Sequence, residues 1–563
     1  MASDAADRLT AAVTEIWPHI PISAHISADS SSPECLSQAR RWLDNCTTNH
    51  CFSAKDGGCP SGSSSPLPTR VISVGDASTD PYLHESAENE MGTWAALSYC
   101  WGQNRTLTTT TDTLSERKVG FALDALPKTC RDAVIVARAL GIPYIWIDSL
   151  CIIQDSRWDW EKEASRMCYV YESALVTFAA LHSPSSDSGL FLQGPYRRTV
   201  RLETEVTGEP VAVYVRRGMD AGILGFIHGH WNDPHHLNKG SGVLETRAWT
   251  LQEITLSPRI LWFTSSELGW SCWTSTACEC ELEQVSDWIE ADKDYLKITS
   301  RALLNQDMGL DCPAIWRNVV QNFTSRDLTV PTDRLPAVSG LASALHEGDR
   351  GCYLAGLWES EISNQLLWAT SDEDHSITPL EDGYAPSWSW ASISGPVRFV
   401  PEAQRPRFKL EWRVISVQFR TLGIDPFGRG EGSIIIEGLL LPVRYVEGTL
   451  VWNRSTEGED ERDTILLCDE HEFLIDSRPR NPDRKALANK SLCFLVAGLL
   501  WKGSKNSELD VPILCNGLLL EDASVKGVTT RLGFAEPHFD ESTPNSTWAI
   551  WEQRCVKTKV KIV

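Results

Sequence analysis

The stretch that most constrains the fold is Trp94-Ala-Ala-Leu-Ser-Tyr-Cys-Trp-Gly102, an apolar run that ends in polar, aromatic and glycine residues. A helical stretch follows, and then a second apolar run, Tyr144-Ile-Trp-Ile-Asp148, closes on a carboxylate. Two buried strands separated by a helix, each followed by polar groups, predict an α/β unit. Its ligand pocket is expected where the carboxyl ends of the strands meet.

The alternation of helices and strands continues beyond Asp148. Asp159 begins a second helix, and Leu175–Ala180 is rich in β-forming residues, which predicts a third strand. A helix from Arg247 leads into a further strand at Ile260–Phe263. Because strands that alternate with helices pair in parallel, we predict a mainly parallel sheet with right-handed crossovers.

Changes in composition divide the chain into four segments. We predict an N-terminal arm and linker at 1–68, an α/β domain at 69–285 with an insertion at about 183–245, a helical connector at 286–350, and a β-rich α+β region at 351–563. Smaller elements are also expected, namely a helix from about Pro33 to Leu43, a short edge strand at Arg70–Val74 and a hairpin near Val211–Arg216.

The charge balance argues against several classes of partner. The 563-residue chain has 75 acidic and 52 basic residues, a net charge of −23, which repels nucleic-acid phosphates and anionic lipid. The first residues lack the basic and apolar pattern of a secretion signal, and no apolar run approaches the ~20 residues that a membrane helix needs. The odd count of 17 scattered cysteines indicates reduced thiols in a cytosolic or nuclear protein, of which we predict the cytoplasmic location. The charge and the lack of these signals predict no nucleic-acid or membrane partner.

Two groups of cysteines are candidate sites. Cys46, His50, Cys51 and Cys59 lie close together, but their spacing matches none of the usual zinc pairs, so ordinary thiols are predicted and zinc is the alternative. Cys100 and Cys151 each follow a core strand and could be nucleophiles. No local signature supplies a paired histidine, which favours buried thiols.

Four ordered motifs resemble those of a known family, the fungal heterokaryon-incompatibility (HET) domain. They are Ala96-Leu-Ser-Tyr-Cys-Trp-Gly102, Leu126-Pro-Lys-Thr-Cys-Arg-Asp-Ala133, Trp146-Ile-Asp-Ser-Leu-Cys-Ile-Ile-Gln-Asp155 and Arg247-Ala-Trp-Thr-Leu-Gln-Glu253. The resemblance covers roughly 93–265. Downstream, Arg326–Leu335, Tyr353–Trp358 and Ala385–Ser392 resemble the C-terminal region common in such proteins, and Trp388 and Trp390 are expected to pack its core.

The resemblance implies a role in non-self recognition between hyphae, in which the domain triggers cell death. HET domains are also thought to be distantly similar to TIR domains, which are flavodoxin-like α/β signalling modules. The segment Arg247–Glu253 resembles the TIR segment Trp-Cys-x-x-Glu, with Thr250 in place of the cysteine. In enzymatic TIR domains that glutamate is catalytic for NAD cleavage, so the resemblance implies Glu253 as the catalytic residue and NAD as the substrate.

Cleavage of the nicotinamide–ribose bond needs a carboxylate that stabilises an oxocarbenium-like transition state, with an aromatic wall for the base and small or polar groups nearby. Glu253 is the candidate carboxylate. The candidate ligand-binding residues are Ser98, Trp101, Gly102, Asp148 and Trp249.

Structural roles for the same residues stay open. Thr250 to Glu253 fits a capping box, so Glu253 could cap a helix or form a salt bridge. Asp148 could cap a turn or pair with Arg131, and the tryptophans could belong to the core. At the level of function, the alternatives are a non-enzymatic module that signals by self-association or with a protein partner, and a secondary-metabolism enzyme with another substrate.

Overall fold

The computed structural model describes residues 25–51, 58–76, 78–103, 107–193, 197, 199–206, 209–216, 242–280, 312–346, 351–370, 377–380, 383–399, 408–446, 449–453, 464–468, 473–475, 492–502, 511–522, 528–535 and 555–563. The chain forms two compact units, Met1–Leu310 and Asp311–Val563. Parts of the predicted N-terminal arm, of the predicted insertion and of the predicted connector lie outside the described residues.

Twelve described strands belong to the first unit. They are β1 Ser65–Pro66, β2 Arg70–Ser73, β3 Tyr82–Glu85, β4 Met91–Gly92, β5 Trp94–Ser98, β6 Tyr144–Trp146, β7 Val176–Ala179, β8 Thr199–Val206, β9 Glu209–Arg216, β10 Arg259–Phe263, β11 Leu268–Cys272 and β12 Thr276–Cys278. Eight of them form the main sheet in the order β12-β11-β10-β7-β5-β6-β2-β3. Strands β8 and β9 form the hairpin that was predicted near Val211–Arg216.

Six described α-helices accompany these strands. They are α1 Pro33–Asn49, α2 Leu114–Val119, α3 Lys128–Ala139, α4 Asp148–Cys151, α5 Arg157–Glu172 and α6 Trp249–Leu256. Short 3₁₀ turns lie at Leu123–Ala125 and Val243–Thr246. Helices α1 and α5 begin where the hydroxyls of Ser32 and Ser156 accept a hydrogen bond from the backbone N–H three residues later, as N-caps do.

The centre of the sheet is parallel, as the alternation of strands and helices predicts. Strands β6, β5, β7 and β10 are neighbours and run in one direction. The prediction of a mainly parallel sheet is nevertheless wrong, because the sheet is mixed. Strands β10, β11 and β12 are joined by short hairpins, as are β2 and β3, and a short hairpin can join only antiparallel strands.

The predicted position of Arg70–Val74 at a sheet edge is also wrong. Strand β2 pairs with β6 on one side and with β3 on the other, so it is internal. The Arg70 guanidinium is buried, where it forms an ion pair with Asp159 on α5 and donates to the Cys151 carbonyl at 2.7 Å. A buried charge is tolerated when it is paired in this way.

The second unit is dominated by a sheet. Its described strands are β13 Tyr353–Leu354, β14 Leu357–Trp358, β15 Trp368–Thr370, β16 Val397–Phe399, β17 Phe408–Leu410, β18 Arg413–Thr421, β19 Gly430–Val446, β20 Thr449–Asn453, β21 Thr464–Cys468, β22 Phe473–Ile475, β23 Leu492–Lys502, β24 Val511–Asp522, β25 Val528–Ala535 and β26 Val556–Ile562. Strands β17 to β26 make one ten-stranded sheet, antiparallel apart from the β25–β26 pair among the strands described.

Helices of the second unit pack beside an aromatic core. They are α7 Cys312–Thr324, α8 Pro336–Leu345 and α9 Ile362–Gln365, with 3₁₀ turns at Pro331–Asp333, Glu359–Glu361 and Trp390–Ser392. Trp388 and Trp390 have no exposed surface, as the sequence predicts, and the Trp368 indole donates to the Trp388 carbonyl at 2.9 Å. In the parts of the chain that the structure describes, no helix is both long enough and apolar enough to cross a membrane.

Candidate functional site

The candidate site lies where the parallel strands β5 and β6 end. Ser98 is the last residue of β5, and Asp148 follows β6 as the first residue of α4. Because the two strands are parallel neighbours, their carboxyl ends share one edge of the sheet. Helix α6, which carries Glu253, packs beside the same strand β5.

Hydrogen bonds tie the segment after β5 to the segment after β6. The Trp101 indole N–H donates to the Asp148 carboxylate at 2.8 Å, and the Tyr99 hydroxyl bonds to the Ser149 hydroxyl at 2.9 Å. Trp101 and Asp148 are half-buried, whereas Tyr99 and Ser149 are buried. Trp101 is thus held by a polar contact as well as by packing.

Gly102 has a backbone role in this arrangement. Its φ of +83° lies in the left-handed region that favours glycine, and an added Cβ would lie 2.5 Å from the Ser185 Cβ. The turn after Trp101 therefore requires glycine, which accounts for Gly102 without any contact to a ligand. Its predicted part in ligand binding stays a prediction.

The capping-box interpretation of Glu253 is wrong. Helix α6 begins at Trp249, and Ala248 is its N-cap, so Thr250 lies inside the first turn. The Thr250 hydroxyl bonds instead to the carbonyls of Leu244 and Arg247, both at 2.8 Å. Glu253 is therefore in the second turn, beyond the position from which a side chain reaches back to an N-cap.

Burial raises the pKa of Glu253 to about 7. The side chain is buried, and the negative charge of Asp148 raises the pKa further, whereas contacts with Ser98 and Tyr171 and the positive charge of Arg247 lower it. Since the ordinary value is 4.5, this carboxyl changes its charge near neutral pH rather than in acid. Groups with such a pKa can accept and release protons under physiological conditions.

Asp148 belongs to the same electrostatic group. Burial raises its pKa above the ordinary 3.8, and the Arg247 charge, the Trp101 indole and the Ser149 backbone N–H lower it. The suggested partner Arg131 forms an ion pair with Asp124 instead, at 3.5 Å. The other suggestion, a turn cap, agrees with the 2.6 Å bond that the Asp148 carboxylate accepts from the Ser149 N–H.

Ser98 is an unusual member of the group. Its hydroxyl is fully buried and lies against the Glu253 carboxyl, yet within the described residues it has no hydrogen bond of ordinary geometry. Buried hydroxyls are nearly always paired, because an unpaired one costs about 1–3 kcal/mol. The structure therefore brings Ser98, Asp148 and Glu253 together, and the Ser98 hydroxyl can still form a further hydrogen bond.

Two tryptophans border this cluster. Trp249 lies one helical turn before Glu253, so the two side chains share a face of α6, and its ring meets Trp160 edge-on at 6.3 Å. Trp101 is held next to the cluster by its hydrogen bond to Asp148. Both Trp101 and Trp249 are half-buried, so each combines core packing with an exposed portion that could contact a ligand.

Two members of the cluster were not predicted from the sequence. The Arg247 guanidinium donates to the Tyr99 carbonyl at 2.5 Å and opposes the charges of both carboxyls. The Tyr171 hydroxyl donates to the Leu97 carbonyl at 3.1 Å beside Glu253. Arg247 lies in the same seven-residue motif as Glu253, and this position could have indicated its part in the cluster. Tyr171 could not be recognised, because its place in the sequence resembles that of any apolar residue of α5.

The two candidate nucleophilic thiols are buried, as was favoured. Burial raises the pKa of Cys151 to about 12 and raises that of Cys100 as well. A thiol must ionise before it can act as a nucleophile. Because their raised pKa values keep these two thiols neutral, they are suited to packing in the core rather than to catalysis. The nearby Glu253 charge adds to the effect at Cys100.

Comparison with known proteins identifies the domain that holds this cluster. No curated protein and no solved structure matches the chain. A family model does match, over residues 94–253, and its description is Heterokaryon incompatibility protein (HET). That range begins at the first residue of β5 and ends at Glu253, so it contains every member of the cluster. Over residues 94–253, the chain is similar to the heterokaryon incompatibility (HET) family.

Proposed function

We propose that this HET-domain protein acts in fungal heterokaryon incompatibility and signals cell death by cleaving NAD at the Glu253 cluster. The observation that carries the proposal is the Glu253 carboxyl, which is buried beside the carboxyl end of the parallel strand β5, has its pKa raised to about 7 and lies against the Ser98 hydroxyl. The TIR-like flavodoxin fold is part of the proposal. Strands β6, β5, β7 and β10 follow the order 2-1-3-4, with which the flavodoxin-like order also begins.

The proposed reaction breaks the bond between the nicotinamide nitrogen and C1 of the ribose. The bonding electron pair goes to the cationic ring, so nicotinamide leaves as a neutral molecule and needs no proton. Water then adds to C1 of the oxocarbenium-like ribose and loses a proton, which gives ADP-ribose. Ionised Glu253 would stabilise the positive charge that develops on the ribose, and could accept a hydrogen bond from a ribose hydroxyl.

The neighbouring groups supply the rest of such a site. The Ser98 hydroxyl has a free valence for a ribose hydroxyl, and the exposed parts of the Trp101 and Trp249 rings could stack on the nicotinamide. Arg247 keeps the ionised form of Glu253 accessible near neutral pH, because its positive charge lowers a pKa that burial raises. Asp148 would orient Trp101 through the 2.8 Å hydrogen bond.

Nicotinamide release from NAD by the purified full-length chain tests the proposal. We expect release to increase as the pH rises through about 7, since the ionised carboxyl is the reactive form. Glu253→Gln should abolish release, whereas Glu88→Gln, a change at an exposed turn, should leave it unchanged. Release that survives Glu253→Gln would refute the role of this residue.

The non-enzymatic alternative makes the opposite prediction in cells. If the domain signals by assembly alone, expression of the Glu253→Gln variant should be as toxic as expression of the wild-type chain. Toxicity lost together with nicotinamide release supports NAD cleavage. Toxicity retained without release supports signalling by association with a protein partner or with a second copy.

A further inference from the structure

Four side chains outside the Glu253 cluster converge on one point of the first unit. They are Cys46, His50, Cys59 and Cys272, and their Sγ and ring nitrogen atoms all lie within 4.8 Å of one another. The three cysteines are buried and reduced, and His50 is half-buried. This group differs from the one considered from the sequence, because Cys272 takes the place of Cys51.

The fold brings the four residues together through three separate elements. Cys46 lies in the last turn of α1 and His50 is its C-cap, so the two are four residues apart on one face of the helix end. The Cys59 N–H donates to the His50 carbonyl at 2.9 Å, which returns the chain to the helix end. Cys272 ends strand β11, against which α1 packs.

The distances agree with a tetrahedral metal site. With Zn–S near 2.3 Å and Zn–N near 2.0 Å, a sulfur and a nitrogen bound to one zinc ion lie about 3.5 Å apart, and two sulfurs lie about 3.8 Å apart. The Cys272 Sγ and the His50 Nδ1 are separated by 3.4 Å. Every other pair of ligand atoms is separated by at most 4.8 Å, so one ion at the centre of the group could contact all four.

The surroundings suit a group of thiolates. Three thiolates and one Zn²⁺ carry a net charge of −1, and the buried Arg259 guanidinium lies 3.1 Å from the Cys46 Sγ. The Ser275 backbone N–H donates to the Cys272 Sγ at 3.3 Å. Charged and N–H groups that contact metal-bound sulfur in this way stabilise the thiolate form and orient the ligands.

Cys51 is adjacent in sequence but is placed differently. Its Sγ lies 3.2 Å from the Pro60 carbonyl and 3.6 Å from the Cys46 carbonyl, which are distances at which the thiol acts as a donor. It is also 3.8 Å from the Arg259 guanidinium. Cys51 therefore borders the group without joining it, which makes it a matched control.

We propose that Cys46, His50, Cys59 and Cys272 bind one structural zinc ion that fastens the end of helix α1 to strand β11. Four protein ligands leave no open position for water, which is typical of a structural rather than a catalytic site, and three cysteines with one histidine are an established zinc set. The sequence spacing did not reveal it, because Cys272 follows Cys59 by more than two hundred residues.

Metal analysis of the full-length protein, purified under reducing conditions, tests this proposal. We expect about one zinc per chain in the wild-type protein and in Cys51→Ser, and less than about a tenth of that in Cys272→Ser. Equal zinc in Cys51→Ser and Cys272→Ser, or no zinc in wild-type protein with reduced thiols, would overturn the proposal. So would a disulfide among these cysteines in the protein as isolated.

Two further measurements keep the test decisive if Cys272→Ser fails to fold. Replacement of zinc by Co²⁺ in the wild-type protein should give the intense visible bands of a tetrahedral ion and the near-ultraviolet absorption of cobalt–thiolate bonds. Cys272→His should keep the ion with weaker thiolate absorption, because it exchanges one sulfur ligand for nitrogen. A spectrum of octahedral Co²⁺ would contradict the proposed site.

Discussion

Replacement of Glu253 by glutamine should stabilise the fold as the pH rises, even though it removes the proposed catalytic group. The folded protein holds this carboxyl in its neutral form up to a pKa of about 7, whereas the unfolded chain ionises it at about 4.5. Between these two values the folded state binds more protons than the unfolded state. The free energy of unfolding of the wild-type protein must therefore fall as the pH rises through this window.

The size of the effect follows from the two pKa values. A tenfold difference in proton affinity corresponds to about 1.4 kcal/mol, so the difference between about 7 and 4.5 amounts to a loss of about 3 kcal/mol once the folded form is fully ionised. Glutamine does not titrate and carries none of this loss. From about pH 5.5 to about pH 8, the variant should gain about 2 kcal/mol relative to wild type.

Urea unfolding of the wild-type protein and of Glu253→Gln at several pH values would measure this gain. The range should begin above the isoelectric point of about 5.0, where loss of net charge promotes association. Glu88→Gln is the matched control, because it makes the same change at a side chain that is exposed at a turn. A difference between Glu253→Gln and wild type that stays constant across the range would refute the inference that burial controls this carboxyl.

Three other substitutions test the structure around the site. Gly102→Ala should lower the free energy of unfolding by about 1–3 kcal/mol in urea, since it forces a side chain into a left-handed backbone and within 2.5 Å of a neighbouring carbon. Asp159→Asn should cost about 3 kcal/mol by the same measurement, because it leaves the buried Arg70 charge with only the more distant Glu163 carboxylate, 4.0 Å away. Arg247→Met should move the pH midpoint of nicotinamide release upward, since it removes the positive charge that lowers the pKa of Glu253; an unchanged midpoint would mean that this charge does not control the reaction.

The central strands could be predicted because their sequence pattern is local. Strands β5, β6 and β7 are continuous apolar runs separated by helices with clear start and stop residues, and such runs form buried parallel strands. The directions of β2 and of β11 could not be predicted in the same way. Strand direction is set by the partner on each side, which depends on tertiary packing rather than on the residues of the strand.

The candidate site was predictable to a similar degree. Ser98 and Asp148 come directly after parallel strands, so their proximity follows from the topology. The role of Thr250 could not be predicted, because the capping-box pattern fits the residue types, whereas α6 begins two residues earlier than that pattern requires. Cys272 was missed for a related reason, since contacts between distant segments leave no spacing to recognise.

The contacts between the family motifs indicate why they occur together in one chain. Trp101 and Tyr99 of the first motif bond to Asp148 and Ser149 of the third, and Arg247 of the last motif bonds to the Tyr99 carbonyl. A purely structural network of this kind would be expected to pair its buried hydroxyls and to keep carboxylates out of apolar surroundings.

The network departs from that expectation at two neighbouring groups. Among the described residues, the Ser98 hydroxyl has no hydrogen bond of ordinary geometry, and burial raises the pKa of the Glu253 carboxyl to about 7, which weakens the fold above neutral pH. Features that reduce stability persist where a protein needs them for another purpose. This departure supports the proposal that the motifs build a frame around one functional carboxyl, Glu253.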